Sequence, residues 1–190
     1  MIVEHILHDL GAEYNLPQVN HQQLLALKHK SIKELLQMSG LKWVQVPGFL
    51  RKARQRFQAH AHRVHPISGM PEALHDLAER GYRMGILTSN TEEGVSLFLQ
   101  QHKLPPFEFI RSSRNLFGKD RSLRHILKQQ QLVADDLVMI GDELRDMVAA
   151  QKVEMESIGV TWGFNSASLL EQGQPTKIIS NPEELLQLLP

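Results

Sequence analysis

Three short runs in this chain hold residues whose types and spacing could do chemistry. The first is Thr88-Ser89-Asn90. Two hydroxyls and an amide stand there just ahead of a predicted helix with unpaired N–H groups, a composition suited to phosphate. Ordinary helix capping is the competing reading. The second is Leu116-Phe117-Gly118-Lys119, which puts Lys119 at the head of a helix, where a cation opposes the macrodipole. That placement gains if the ammonium meets an anion; a lysine lying along the surface competes with it. The third is Gly141-Asp142-Glu143-Leu144-Arg145-Asp146. Asp142 and Asp146 are four residues apart, so one helical turn is expected to set both carboxylates on the same side. Three acids within five residues repel one another unless a cation sits among them. Hard oxygen ligands of this kind suit Mg²⁺, with waters and a substrate phosphate completing the shell. Acid enrichment in a first helical turn explains Asp142 or Glu143, but not the whole set.

All three runs fall just after predicted strands, where open α/β sheets collect their ligands. Short apolar runs at 82–88, 107–110, 137–140, 157–160 and 177–179 read as strands. Helical patterns at 71–80, 91–101, 119–131, 144–152, 166–172 and 182–189 alternate with them. Pro71 and Gly81 punctuate the first of these helices, and Thr91 with Glu92 and Glu93 opens the second. Such alternation implies right-handed crossovers and a doubly wound parallel sheet. Before Pro66 the texture differs: Ile2, Ile6 and Leu10, then Ile32, Leu35 and Leu36, recur at helical spacing. The expected organisation is a helical unit at 1–65 and an α/β unit at 66–190.

Composition limits the function classes. The chain has 190 residues, with 21 basic and 21 acidic side chains and no cysteine. Disulfides, thiolate metal sites and cysteine nucleophiles are therefore excluded. No apolar run approaches the roughly 20 residues of a membrane span, and the N-terminus lacks the build of a secretory signal. A cytoplasmic address fits. Charge is uneven: residues 1–70 carry nine basic and four acidic side chains, and Lys28–Arg63 carries nine basic against Glu34 alone. A solvated helix face explains this better than nucleic acid, because no aromatics are interleaved for base stacking. His60, His62 and His65 could hold zinc, but without a nearby carboxylate they read better as a hinge. Trp162 and Phe164 read as core packing rather than as pocket walls.

The order of His65-Pro66 with Gly69, Gly81–Asn90 (GYRMGILTSN), Leu116–Lys119 (LFGK), Gly141–Asp146 (GDELRD) and Thr161–Phe164 (TWGF) resembles the haloacid dehalogenase (HAD) superfamily, in its phosphoglycolate-phosphatase-like branch. The resemblance spans nearly the whole chain. It implies a HAD-type α/β core under a small helical cap that closes over the site and chooses the substrate. It implies a Mg²⁺-dependent hydrolase acting on a small phosphorylated substrate. Thr88, with Ser89 and Asn90, would hold the transferring phosphoryl group; Lys119 would balance its charge; Asp142 and Asp146 would hold the metal. Val153-Glu154 departs from the Ala-Gly usual after this last motif, which affects only the local turn.

The resemblance also calls for Asp-x-Asp-Gly-Thr at the end of the central strand. Its first Asp attacks phosphorus to give an aspartyl-phosphate, and its second is the general acid/base. No such run occurs in these residues. The segment up to Asn15-Leu16 resembles the first cap helix, so the chain is expected to begin just after its nucleophile and to be inactive as it stands. Ile6–Gly11 (ILHDLG) faintly echoes a strand with Asp9 as a degenerate nucleophile, but the helical spacing of Ile2, Ile6 and Leu10 argues against it. An absent central strand would leave buried N–H and C=O groups unpaired at about 1–3 kcal/mol each, against a total stability of roughly 5–15 kcal/mol. A longer N-terminus, another segment or another subunit would be expected to fill the gap, and an unfilled sheet would favour a homo-oligomer. A non-catalytic regulatory protein that keeps the phosphate and metal pocket is the alternative function.

Overall fold

A computed structural model of the chain describes residues 2–17, 20–60, 63–113 and 118–189, with side chains from His5 onward. It divides into two compact units, residues 1–64 and 65–190.

The first unit is helical: α1 (Ile2–Tyr14), α2 (His21–Leu27), α3 (Ile32–Ser39) and α4 (Val46–Ala59). Local chemistry sets its boundaries. Asn20 with Gln23 and Ser31 with Glu34 form reciprocal capping boxes at the starts of α2 and α3. Gly40 ends α3 at φ 72°, a conformation that costs glycine little, and Pro47 lies in the first turn of α4. Ile6, Leu10, Leu36 and Val46 form the buried interior. Helix α4 lies against α1, where Lys52 and Arg56 both pair with Glu13 and the Tyr14 and Phe49 rings meet edge to face at 5.4 Å. Part of the basic stretch is thus spent inside the unit. Asp9 sits on a helix, flanked by His5 and His8, so the strand reading of Ile6–Gly11 does not hold.

The second unit runs α5 (Met70–Glu79), β1 (Gly85–Thr88), α6 (Glu92–Gln101), β2 (Phe109–Ser112), α7 (Lys119–Gln130), β3 (Val138–Gly141), α8 (Leu144–Gln151), β4 (Glu156–Val160), α9 (Ala167–Leu170), β5 (Lys177–Ile179) and α10 (Leu185–Leu188). All strand pairs are parallel. They form two sheets, β1–β2 and β3–β4–β5; among the described residues no strand joins β1 to β3. Leu87 of β1 and Met139 of β3 nevertheless pack on one cluster, Leu123, Ala149, Ala150 and Met155, supplied largely by α7 and α8. On the other face of the triplet, Ile158, Val160, Ile179 and Leu185 form a second cluster, against which Val138 and Trp162 pack. Ile140 is 37% exposed, high for an apolar strand residue.

Two strand boundaries differ from the sequence expectation. Strand β1 begins at Gly85 rather than residue 82, because the Tyr82 N–H is drawn back to Leu77 O at the end of α5, where Gly81 turns at φ 86°. Strand β2 lies at 109–112 rather than 107–110, shifted past Pro105-Pro106. Gly85 stands opposite Phe109, and a Cβ at residue 85 would overlap the Phe109 ring. The terminal helices at 166–172 and 182–189 are each divided between a short α-helix and a 3-10 turn.

Candidate active site

Parallel strands put Thr88, Ser112 and Asp142 at their carboxyl ends or just beyond. Thr88 ends β1 opposite Ser112. Its Oγ1 accepts the Asn90 N–H at 3.0 Å, so the hydroxyl proton is what Thr88 has to offer an anion. The turn is braced from β2: the Ser112 hydroxyl donates to Asn90 O at 2.7 Å, and the Ser112 N–H to Glu92 Oε1 at 3.0 Å. Thr91 caps α6 by accepting the Gly94 N–H. The two readings of Thr88–Asn90 thus divide the run: capping belongs to Thr91, one residue beyond it.

Ser113 links this turn to the lysine. Its N–H donates to Thr88 O at 2.7 Å, and its hydroxyl accepts that of Ser122, in the first turn of α7, at 3.0 Å. Gly118 enters α7 at φ 117°, and Lys119 follows as its first residue. Leu116 and Phe117 lie outside the described residues. The Lys119 side chain is only 13% exposed and its Nζ pairs with Asp146 Oδ1, so it is not a surface lysine. The anion it meets here is Asp146 itself.

Asp146 is 3% exposed and lies over the end of β3, where a Cβ at Gly141 would overlap it. Asp142 is placed differently from expectation. Helix α8 begins at Leu144, so Asp142 precedes it and the two carboxylates do not share a helical turn. Asp142 is held instead by the loop after β4: the Phe164 N–H donates to its Oδ2 at 2.7 Å, and the Asn165 N–H to its backbone O at 2.9 Å. Between the two, Glu143 takes Arg145 bidentately, at 2.9 and 2.6 Å. Burial raises the Glu143 carboxyl above its ordinary value although Arg145 opposes the shift. Each of the three acids thus has its own partner, Phe164 N–H, Arg145 and Lys119, while the charges of Asp142 and Asp146 still add to the upward shift of Glu143.

Among the described residues no three metal-binding side chains converge. Mg²⁺ commonly takes only one or two carboxylates, with phosphate and water completing its shell. Asp142 and Asp146 supply two hard-oxygen groups, each packed against a glycine that leaves no room for a Cβ. The donor set fits such an ion.

Of the histidines, His60 donates its Nδ1–H to Arg56 O (2.8 Å) and meets His5 edge to face, while His65 meets His102; His62 lies outside the described residues. Trp162 packs on the core cluster as expected, but Phe164 is 37% exposed, because its backbone is committed to Asp142. Sequence reasoning missed this use of the 163–165 loop and the Ser113–Ser122 link. The signal for the loop was the glycine in TWGF, a small residue just after a strand.

A family model described as haloacid dehalogenase-like hydrolase matches residues 1–160. A phosphoglycolate phosphatase of Synechococcus elongatus is 24% identical over 176 residues, covering 92% of this chain and 83% of that protein. A 5'-nucleotidase of Pseudomonas aeruginosa is 31% identical over 149 residues, covering 72% of this chain and 64% of that protein. Among solved structures, a predicted phosphatase from Clostridium acetobutylicum matches with a TM-score of 0.84 over 99% of this chain and 90% of that one, at 21% identity. A haloacid dehalogenase-like hydrolase from Streptococcus pneumoniae matches with a TM-score of 0.81 over 100% of this chain and 90% of that one, at 19% identity. The chain belongs to the haloacid dehalogenase-like hydrolases.

Proposed function

We propose that the second unit binds a small phosphomonoester, phosphoglycolate being the first candidate, through Thr88, Ser89, Asn90 and Lys119, with Mg²⁺ on Asp142 and Asp146. The observation that carries this reading is the largely covered ammonium of Lys119, linked through α7 and Ser113 to the Thr88 turn and paired with Asp146 at the next strand end. A phosphate arriving there meets a hydroxyl donor and a cation already in place. When bound, the metal ion would neutralise charge on the phosphoryl oxygens. The relatives support the substrate class: they include phosphoglycolate phosphatases, a 5'-nucleotidase and a pyrophosphatase. The helical unit is the proposed cap that selects among such substrates.

The 190 residues contain no Asp-x-Asp-Gly-Thr, so by themselves they are proposed to bind without turnover. The second reading is a phosphate-binding regulatory protein that uses the same pocket. Calorimetric titration of the 190-residue chain with phosphoglycolate and Mg²⁺ tests binding; expected is saturable uptake, lost in Thr88→Val. Absence of uptake sinks both readings. Mg²⁺-dependent release of phosphate from this chain, abolished by Asp142→Asn, would overturn the claim of no turnover and leave the enzyme reading alone.

A further inference from the structure

We infer that Gly163, Phe164 and Asn165 are a positioning device for Asp142, fixing its carboxylate so that Oδ1 is the oxygen presented to a divalent cation. The inference rests on the reading of Asp142 as a metal ligand and adds residues that do not touch the ion themselves.

Asp142 lies in the turn between β3 and α8, outside the helix, so no regular backbone ladder fixes its side chain. The loop after β4 supplies what the helix does not. The Phe164 N–H takes Oδ2 at 2.7 Å. The Asn165 N–H takes the Asp142 carbonyl at 2.9 Å. The Asn165 side chain, in a residue only 3% exposed, accepts the Leu144 N–H at 2.8 Å and so ties the loop to the first residue of α8. Gly163 completes the cradle: a Cβ there would overlap both Cβ and Oδ2 of Asp142. Side chain, carbonyl and following helix are thus held from one loop, three residues long. With Oδ2 committed to a peptide N–H, the other carboxylate oxygen is the one left for a ligand. Partners of this kind orient a metal ligand, and their loss typically costs about 10–100-fold in affinity.

The test is Mn²⁺ titration of the 190-residue chain, read by electron paramagnetic resonance of free Mn²⁺, alongside urea unfolding. Asp142→Asn is the control for the underlying reading. Gly163→Ala and Asn165→Leu are each expected to weaken Mn²⁺ binding about tenfold or more, and Asn165→Asp, which keeps the acceptor for Leu144, to recover part of the loss. Hydrogen exchange at the Phe164 amide supplies a readout independent of metal, expected to speed up in Asp142→Ala without global unfolding. If Asp142→Asn abolishes binding while Gly163→Ala and Asn165→Leu stay within twofold of the parent, the positioning inference fails and the metal reading stands. If the parent binds no Mn²⁺, or Asp142→Asn binds as the parent does, both fail. Should Gly163→Ala not fold, Asn165→Leu and the Phe164 amide decide the matter.

Discussion

In the strand triplet β3–β5, four residues of β4 are buried in succession, and Met147 and Leu170 close over them with no exposed surface. In the pair β1–β2 no strand residue is fully buried. The two halves divide the candidate site between them: the pair carries Thr88, while the triplet carries Asp142 and leads into Asp146. Helix α7 joins them, packing Leu123 on the triplet's cluster beside Leu87 of β1 and sending Lys119 to Asp146. The lesson is that the site is also the weld. The hydroxyl proposed to bind phosphate sits on the thinly packed half, where local opening costs least, and it is registered against the acids by a partly buried ion pair.

Breaking that weld should have the largest effect. Lys119→Met leaves the Asp146 carboxylate buried without its cation, a change expected to cost about 3–5 kcal/mol in urea unfolding. Replacing both partners, Lys119→Met with Asp146→Leu, should return most of that loss, since two apolar groups carry no desolvation penalty. A single-mutant cost below about 1 kcal/mol, the range of an exposed pair, would show that the halves are not joined through this contact. Core truncation sharpens the contrast itself. Met147→Ala, fully buried under the triplet, should cost about 2–5 kcal/mol. Leu87→Ala, only half-buried in the pair, should cost clearly less, and amide exchange should be faster along β1 and β2 than along β4. Equal costs and equal protection would erase the difference between the halves.

Much of this architecture was legible before any coordinates. Alternating texture after Pro66 gave the five strands, and β5 falls where the apolar run placed it. The misfit of Lys119 at a helix start pointed to an anion because local electrostatics alone could not justify it. What could not be read was contact between segments distant in sequence. Asp142 and Asp146 looked like a helical i,i+4 pair, yet the helix starts two residues beyond Asp142 and its place is set by a loop more than 20 residues on. Likewise β2 moved two residues toward its C-terminus, since pairing with β1 rather than local apolarity decides where a short strand sits.

Each half also holds one bidentate arginine–glutamate pair, and burial gives the two opposite signs. In the pair, Arg83 and Glu108 meet at 2.5 and 2.9 Å on the surface, and the arginine's hydrogen bonds hold Glu108 below its ordinary value of 4.5. In the triplet, Arg145 and Glu143 meet half-buried, and desolvation lifts Glu143 above 4.5. A lowered carboxyl contributes stability that is present above 4.5 and lost as pH falls through the folded value. A raised one binds its proton more tightly when folded, so its contribution is present below 4.5 and lost as pH rises through the folded value. Glu108→Gln should therefore lessen the loss of stability on acidification, and Glu143→Gln the loss on raising pH above 4.5. Urea midpoints measured from pH 3 to 8 check both; shifts of the same sign would mean that burial does not separate the halves.

The smallest effect lies in the turns that lead into β2 and β4. Lys103, after α6, has φ 52°, and Glu154, after α8, has φ 57°, both left-handed conformations that disfavour a Cβ. At residue 154 the resemblance leads one to expect glycine, and Glu154 instead holds a non-glycine side chain in the left-handed region. Relief of about 1–2 kcal/mol is offset by the extra freedom glycine has when unfolded, about 0.5–1 kcal/mol. Glu154→Gly and Lys103→Gly should each stabilise by roughly 0.5–1 kcal/mol. What separates them is where the gain is felt. If the halves unfold together, both substitutions raise the same urea midpoint by similar amounts. If the thinly packed pair opens on its own, Lys103→Gly slows amide exchange along β1 and β2 and leaves β4 untouched, whereas Glu154→Gly raises the global midpoint, because the triplet is the last part of the unit to give way.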